Sequence, residues 1–300
     1  MDSKSSKFRT LFNESKSKKQ SRKMAAIKSF EIKVGAHPKP GYSLTRRLGV
    51  GAFGEVWEAV NEDGSKVAMK FIHSKKNTTE STTNEVRQFM MLRQMSHPHV
   101  LTLIDVICIA DLIVLIMELA KGSLHDLHEF YMKEQSTHIS LGTLVDLIEE
   151  AACGLDFLAS LKLPSTQLTQ SGFQHCDVKP SNLLLVGKTV KVADFGIAGR
   201  LGLQTGTFMG TPYFAPPELY LGQPSARTDQ FSLAVTYCHL RSGKYPFPDS
   251  NGKPPEGYPE LERYPSKERE VLARALQLNW IDRYPTCTEF IQQLRQATGK

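Results

Sequence analysis

The stretch His175-Cys-Asp-Val-Lys-Pro-Ser-Asn182 contains the most specific pattern in this sequence, and Asp194-Phe-Gly196 follows it after a short apolar segment. One loop thus holds a carboxylate, a lysine two residues later and an amide five residues later. Asn182 and Asp194 offer oxygen ligands of the kind that Mg²⁺ takes alongside phosphate oxygens. The pattern therefore predicts a site for magnesium and phosphate groups.

Two charged side chains of this loop are not needed to bind the metal and could take part in the reaction. Asp177 would orient an attacking hydroxyl and accept its proton, as a general base does. Lys179 would neutralise negative charge on a phosphoryl group as it moves. The alternative, polar loop residues without a common role, is weak once this spacing is combined with two motifs earlier in the chain.

The first of these motifs is glycine-rich. Gly49-Val-Gly-Ala-Phe-Gly-Glu-Val56 reads G-x-G-x-x-G-x-V between two runs that resemble strands. Glycine lets the backbone approach phosphates closely and donate its N–H groups to them. A dinucleotide-binding motif would need a helix after the glycines, whereas Glu55–Val60 alternates like a strand. A plain glycine-rich hairpin remains the alternative for this motif taken alone.

The second motif is Val67-Ala-Met-Lys70, in which a lysine ends an apolar strand. Burying an ammonium group without a partner is costly, so Lys70 is expected to meet a phosphate, a carboxylate or both. Glu85 is the candidate carboxylate. Two alternatives stay open: Lys70 could extend its amine to solvent, and Glu85 could belong to a helix-capping box with Thr82.

The distribution of apolar residues divides the chain into a β-rich half and a larger helical half, joined near residues 118–122. One helix, Thr82–Met95, is expected among the strands, and a hairpin at Leu183–Val192 among the helices. The predicted strands are Ser43–Val50, Glu55–Val60, Lys66–Ile72, Leu101–Cys108 and Leu112–Leu119. The predicted helices include a stripe from Leu144 to Leu158, then Phe231–Leu240, Glu268–Leu278 and Thr288–Ala297.

The charge of the chain is concentrated at its beginning. The formal net charge is +6. Residues 1–35 contain ten Lys or Arg and three Asp or Glu, a charge of +7, so the remaining residues sum to −1. Residues 1–41 are therefore predicted to form a basic, disordered tail. This tail either binds an anionic partner such as lipid or nucleic acid, or is a solvated arm without one.

Cysteine content and hydropathy bear on location. The 5 cysteines include no C-x-x-C pair, which fits neither a disulfide framework nor a zinc site and indicates a reducing, cytoplasmic compartment. The basic N-terminus lacks the apolar core of a secretion signal. Val100–Ala120, the most apolar stretch, is interrupted by acidic residues and is predicted to be two strands rather than a membrane span.

In this order the motifs resemble those of Hanks-type (eukaryotic-like) Ser/Thr protein kinases, with the similarity running from about Tyr42 to Leu294. Gly210–Glu218 resembles the end of a kinase activation segment, and Asp229–Leu233 the start of the central C-lobe helix. Arg283 stands where such kinases place the partner of the segment-ending glutamate. The amino-acid sequence of the catalytic motifs is more similar to that of bacterial members than to that of animal ones.

The resemblance implies an α+β, bilobal, protein-kinase-like fold, a substrate pair of ATP and protein Ser/Thr hydroxyls, and Mg²⁺ as cofactor. The kinase domain would span 42–297, with an N-lobe at 42–118, a hinge at 118–122 and a C-lobe at 123–297. Catalysis would use Asp177 as the base, helped by Lys179, Lys70, Glu85 and Thr211. The nucleotide would be bound by Leu48, Gly49, Gly51, Gly54, Val56, Ala68, Lys70, Met117, Glu118, Ala120, Asn182 and Asp194, of which Asn182 and Asp194 would hold the metal.

Three positions depart from the family pattern, and the mild departure is Pro216-Pro217-Glu218 in place of the usual Ala-Pro-Glu. Cys176 stands where an arginine normally meets an activation-loop phosphate, a contact that a thiol cannot make. We therefore expect activity without a phosphate on Thr205 or Thr207, unless another cation such as Arg200 substitutes. The second departure is the spacing of Glu85, which leaves Gln88 at the usual position of the residue that pairs with the lysine. Only Glu85 would give a charge pair.

Two other functions compete with the kinase hypothesis. A nucleotide-binding pseudokinase or scaffold would typically have lost Lys70, Asp177, Asn182 or Asp194, and all four are present. A kinase acting on a small molecule would not need Gly210–Glu218, whose family role is to seat an extended peptide.

Overall fold

The computed structural model describes residues 30–51, 54–73, 86, 89–90, 93–161, 173–194, 208, 210–248 and 253–300. Within these residues an antiparallel five-stranded sheet precedes a larger, mainly helical part. The predicted α+β, bilobal class is thereby confirmed.

The N-lobe sheet contains β1 (Tyr42–Gly51), β2 (Gly54–Asn61), β3 (Lys66–His73), β4 (Leu103–Ile109) and β5 (Leu112–Glu118), in the spatial order β1-β2-β3-β5-β4. Because side chains alternate along a strand, β3 presents two different faces. Met69 and Phe71 join a hydrophobic cluster on the outer face. Lys70 lies on the inner face opposite Leu115, which packs into the core shared with the C-lobe. The inner face is therefore the wall of the cleft.

Residues 30–41, which we call the N-terminal strap, differ from the prediction of a disordered tail that extends to residue 41. Phe30, Ile32 and Ala36 pack against the outer hydrophobic cluster of the sheet. Two backbone hydrogen bonds, from Gly35 N–H to Leu44 O (2.8 Å) and from Leu44 N–H to Ala36 O (2.9 Å), attach it to β1. The composition of residues 1–35 concealed this because a few apolar residues are spread among many charges. The packed body thus begins before Tyr42.

The C-lobe combines a small sheet with helices. Its sheet is β6 (Gly122–Ser123), β7 (Leu183–Val186) and β8 (Thr189–Val192), in that order. Its described α-helices are α1 (Leu124–Glu134), α2 (Leu141–Ser160), α3 (Pro217–Tyr220), α4 (Thr228–Ser242), α5 (Ser266–Ala275) and α6 (Cys287–Thr298). The hairpin predicted at Leu183–Val192 is β7 and β8, and it turns at Gly187, whose φ is 66°.

Two helices form the centre of the C-lobe. In α2 the predicted stripe is buried, and Ser140 caps the first turn by accepting a hydrogen bond from Thr143 N–H at 3.3 Å. In α4 almost every residue is buried, including polar Thr228 and Asp229, as expected of a helix surrounded by protein. It ends at Gly243, whose left-handed φ of 69° favours glycine. These helices carry the loops of the candidate site.

Three elements are shorter than predicted. β5 ends at Glu118 rather than Leu119. The other two are limited by contacts that are distant in sequence. β4 begins at Leu103 rather than Leu101, because Leu101 N–H donates to Val192 O (2.9 Å) in the C-lobe hairpin. α5 ends at Ala275 rather than Leu278. The carbonyls of Gln277 and Leu278 accept hydrogen bonds from the Arg283 guanidinium instead of continuing the helix (2.7 and 3.1 Å).

Part of the predicted helix Thr82–Met95 lies outside the described residues. Val86, Phe89, Met90 and Arg93 are helical, whereas Met95 is not. Phe89 is buried in the large core shared by both lobes, which agrees with the apolar spacing that predicted the helix.

Candidate active site

The loop from His175 to Asn182 is fixed at its start by a buried carboxylate. Asp229, in the first turn of α4, accepts hydrogen bonds from His175 N–H (2.7 Å) and Cys176 N–H (2.9 Å). Burial raises the pKa of Asp229, and these two donors act in the opposite direction. Since both carboxylate oxygens are bonded to the loop backbone, α4 sets the loop's position.

The His175 side chain joins two parts of the site. Its Nδ1 accepts a hydrogen bond from Asp177 N–H at 3.2 Å, so Nε2 carries the proton and donates to Ala193 O at 2.7 Å. Ala193 immediately precedes Asp194. One buried imidazole therefore ties the loop of Asp177 to the segment that carries Asp194.

Four predicted site residues form one hydrogen-bonded cluster. Asp177 Oδ1 accepts from Thr211 Oγ1 (2.6 Å), while Asp177 Oδ2 accepts from Lys179 Nζ (2.9 Å) and Asn182 Nδ2 (3.0 Å). Lys179 Nζ also donates to Thr211 Oγ1 (2.7 Å). Thr211 thus lies where a hydroxyl bonds to both a carboxylate and an ammonium group, and this is the environment that an acceptor hydroxyl needs for proton transfer.

Close backbone contact brings Thr211 to this cluster. Gly210 has a φ of 98°, and a Cβ there would lie 2.6 Å from Cys176 O. Cys176 itself has a left-handed φ of 64°, which is uncommon for residues other than glycine. Only glycine at position 210 lets the segment approach the loop this closely.

On the opposite wall, Lys70 Nζ hydrogen-bonds Asp194 Oδ1. The Lys70 side chain is 10% exposed, so its ammonium group requires a partner of this kind. Asp194 has a left-handed φ of 66°. The two lobes thus contribute opposite charges to the same point of the cleft.

The predicted nucleotide-binding residues lie along β1, β2 and β3. Gly51 pairs with Gly54 across the tip of the hairpin, and Val56 pairs with Lys70. Gly54 has a φ of 136°, and a Cβ there would lie 1.8 Å from Phe71 O, so no other residue fits. Leu48 and Gly49 lie before the tip on β1, and Ala68 lies two residues before Lys70.

The hinge is connected to the C-lobe through Glu118. Its Oε1 accepts hydrogen bonds from Thr102 N–H and from Lys191 Nζ, both at 2.7 Å. Burial alone would raise the pKa of Glu118, but these two donors hold it below its usual value. Met117 pairs with Ala68, and Ala120 follows in the half-buried connection. The edge of the cleft at which Met117, Glu118 and Ala120 were predicted to bind the nucleotide is therefore braced by a charge pair between the lobes.

Comparison with known proteins identifies the family. The sequence pattern of the family described as "Protein kinase domain" matches residues 42–297 of this chain. The chain belongs to the protein kinase family. Among curated relatives, serine/threonine-protein kinase par-4 of Caenorhabditis elegans is 28% identical over 272 residues, which are 83% of this chain and 42% of that protein. Serine/threonine-protein kinase ATG1a of Arabidopsis thaliana is 30% identical and aligns with 70% of this chain and 33% of its own length.

A solved structure supports the kinase fold. The kinase domain of PknI from Mycobacterium tuberculosis aligns with a TM-score of 0.67 and 23% identity over 89% of this chain and 100% of that chain. This chain spans less than half the length of each of the two curated kinases above. The similarity to bacterial members in particular stays a prediction.

The kinase resemblance also implied a pairing of Glu218 with Arg283. The Arg283 guanidinium donates to Glu218 Oε1 (2.6 Å) and Oε2 (2.9 Å), and both side chains are buried. Ser225 and Thr228 hydroxyls also donate to Glu218. This network attaches the segment that bears Thr211 to the body of the C-lobe.

Cys176, the departure from the kinase pattern, is buried among apolar residues. It packs with Ala215 and Leu219, and Phe208 covers this cluster. Burial raises the pKa of the Cys176 thiol, which therefore stays neutral. The position that normally holds an arginine thus contributes apolar contact rather than charge to the end of the activation segment.

The residues assigned to magnesium fit an oxygen-preferring ion. Ala193 N–H donates to Asn182 O at 2.9 Å, so the residue before Asp194 is held beside Asn182. The Asn182 amide nitrogen faces Asp177, which leaves its oxygen for a ligand. Hard oxygen donors of this type suit Mg²⁺. Among the described residues no group of three or more His, Cys, Asp or Glu forms another metal site.

Some predicted residues cannot be placed. Glu85, Gln88, Arg200, Thr205 and Thr207 lie outside the described residues. Conversely, the role of Asp229 in holding the loop was missed by the sequence analysis, although an acid at the start of the central C-lobe helix was a usable signal. Within the part of the chain that the structure describes, every helix is too short or too polar to span a bilayer.

Proposed function

We propose that this chain is an ATP-dependent serine/threonine protein kinase that transfers the γ-phosphoryl group of Mg-ATP to protein hydroxyls. The observation that carries the proposal is the hydrogen-bonded cluster of Asp177, Lys179, Asn182 and Thr211, together with the ion pair that joins Lys70 of the N-lobe to Asp194 of the C-lobe. Membership of the protein kinase family supports the same reaction.

Asp177 acts as the base in this proposal. An acceptor hydroxyl binds to Asp177 beside Thr211, whose Oγ1 lies 2.6 Å from Asp177 Oδ1, and its proton passes to the Asp177 carboxylate. Lys179, already 2.9 Å from the carboxylate, stabilises the charge that develops on the transferred group. Asn182 holds Asp177 in orientation through the bond to Oδ2.

Lys70 binds the α- and β-phosphates when the nucleotide enters, and the glycine hairpin covers them. Magnesium, held by Asn182 and Asp194, would neutralise the phosphate charge when bound. Leu48, Val56, Ala68, Met117, Glu118 and Ala120 surround the rest of the nucleotide. Glu85 is proposed as the second partner of Lys70.

The pseudokinase alternative is supported only by the unusual spacing of Glu85, which lies outside the described residues. Lys70, Asp177, Asn182 and Asp194 are present, and each makes a hydrogen bond that suits its catalytic role. A protein acceptor is favoured over a small molecule because Thr211 and the segment up to Glu218 are anchored as a rigid seat.

We further propose activation without a phosphate on the activation segment. Phe208, Ala215 and Leu219 pack around neutral Cys176, so apolar contact can hold the end of that segment. An arginine there would require an anion as its partner, whereas a buried thiol does not.

A cytoplasmic location is proposed on two grounds. All five cysteines are free thiols, which suits a reducing compartment. ATP, the proposed phosphoryl donor, is an intracellular metabolite. An anionic partner for the basic residues 1–35 remains a proposal based on their charge of +7 alone.

The test of the main proposal is transfer of label from γ-labelled ATP with Mg²⁺ to the chain itself and to a generic basic protein. Asp177→Asn keeps the shape of the side chain and removes the base, so the rate should fall by about 10²–10⁴-fold. Label is then identified as phosphoserine or phosphothreonine. Nucleotide binding without any transfer by the wild-type chain would instead support the pseudokinase.

A further inference from the structure

The N-terminal strap covers the outer face of the N-lobe sheet, directly behind Lys70. The ring of Phe30 stacks on that of Phe71, with centroids 6.2 Å apart and planes at 10°. Ile32 and Ala36 pack into the same cluster. The strap therefore continues the hydrophobic layer on the side of the sheet that faces away from the cleft.

The strap, Lys70 and the glycine hairpin all adjoin Phe71. Phe71 follows Lys70 in β3, so its side chain points to the strap while that of Lys70 points to the cleft. Its carbonyl oxygen would be 1.8 Å from a Cβ on Gly54, so the backbones of β3 and the glycine hairpin are in close contact there. A movement of Phe71 would shift both the lysine and the hairpin.

A second contact joins the strap to the far edge of the sheet. Lys39 Nζ forms an ion pair with Asp105 in β4 at 2.8 Å, and Arg93 pairs with the same carboxylate at 3.1 Å. Hydrogen bonding from Lys39 and Val106, with the charge of Arg93, holds the pKa of Asp105 below its usual range. Both ends of the strap are thus attached to the N-lobe.

We propose that Phe30 is a positioning residue for nucleotide binding, acting through Phe71 on Lys70 and the glycine hairpin. The residue lies outside the region 42–297 that matches the kinase family. A chain cut to that region would therefore lose a contact that supports its nucleotide site. The inference rests on the proposed function, because Lys70 is assigned to phosphates there.

The test measures binding of a non-hydrolysable ATP analogue with Mg²⁺ to the full 300-residue chain by calorimetry. Phe30→Ala removes the stacked ring, so the Kd should rise by about threefold to tenfold, the range expected for one aromatic contact. Phe30→Tyr keeps the ring and should restore binding. Val34→Ala is the matched control, because Val34 lies in the strap with 66% of its surface exposed.

A purely structural role would lower the melting temperature of Phe30→Ala without changing its Kd well below that temperature, and this result would overturn the proposal. Phe30→Leu, which keeps most of the apolar area, serves if the alanine variant does not fold. It should give a smaller increase in Kd, and an unchanged Kd would again overturn the proposal.

The measurement requires no phosphoryl transfer. A wild-type chain that binds the analogue but transfers nothing would overturn the kinase proposal, and the Kd values of the variants would still decide the role of Phe30. A wild-type chain that does not bind the analogue would overturn both.

Discussion

The two walls of the cleft are held in place by different means. On the C-lobe wall, Asp177, Lys179, Asn182 and Thr211 contact one another directly through side-chain hydrogen bonds. On the N-lobe wall, Lys70 is positioned by backbone pairing of β3 with β2 and β5.

This difference indicates how each wall responds to change. A hydrogen-bonded cluster anchored by buried charges fails sharply when an anchor is removed, because an unpaired buried group is costly. A sheet distributes strain over many backbone bonds and packing contacts. A substitution in the sheet should therefore have a smaller effect, and it should alter nucleotide binding first.

The largest effect is expected when the buried ion pair of Arg283 and Glu218 in the C-lobe is broken. Arg283→Ala leaves the buried Glu218 carboxylate without its bidentate partner, which should lower the free energy of unfolding by about 3–5 kcal/mol. Urea denaturation monitored by circular dichroism measures the change. Arg295→Ala is the matched control, since Arg295 pairs with Asp146 and Glu149 at the surface and its loss should cost about 0–1 kcal/mol. Equal losses in the two variants would contradict the buried-anchor account.

A smaller effect is expected when the catalytic loop loses one acceptor. Asp229→Asn keeps the side-chain shape but presents an NH₂ group to one of the two loop N–H donors, at a cost of about 1–3 kcal/mol. Turnover should fall as well, because the loop that carries Asp177 is loosened. Thermal melting and initial rates test this, with Asp146→Asn as an exposed control. Unchanged stability and rate would show that α4 does not set the loop.

Sensitivity of the fold to acid is expected to arise in the C-lobe. Burial, helped by the neighbouring His128 and His125, lowers the pKa of His239 to about 4. The unfolded chain takes up this proton near pH 6.5, so stability should decline as pH falls from about 6.5 towards 4. His239→Phe keeps a ring stacked on Tyr245. The melting temperature of this variant should therefore change less between pH 7 and pH 5 than that of the wild-type chain.

The control for this measurement is His73→Gln. His73 lies on the N-lobe with 76% of its side chain exposed, so its replacement should leave the pH dependence as in the wild-type chain. A pH dependence that stays unchanged in His239→Phe would contradict the assignment.

The smallest effect concerns the activation segment. The Thr205→Ala/Thr207→Ala double variant should retain most of the wild-type rate, because apolar contacts around Cys176 replace the phosphate-dependent contact. Initial rates with labelled ATP test it. Near-total loss of activity would refute the hypothesis, and phosphorylated Thr205 or Thr207 in the wild-type chain would then identify the missing group.

The sequence predicted most elements because their signals are local. The alternation in β3, the glycine spacing of the hairpin and the apolar stripe of α2 each follow from the geometry of one element. The ends of α5 and β4 were predicted less well. There, Arg283 and Val192 compete for backbone groups that the local pattern assigned to the element itself.

By itself the sequence determined the chemistry of the site: the order of Lys70, Asp177, Asn182 and Asp194, and the loops that carry them. Only the tertiary structure decided which residues hold that chemistry in place. Asp229 reaches the loop from 54 residues away, and Phe30 lies behind β3. The physical reason is that residue types are set by the reaction, whereas their supports depend on which distant surfaces pack together and exclude water.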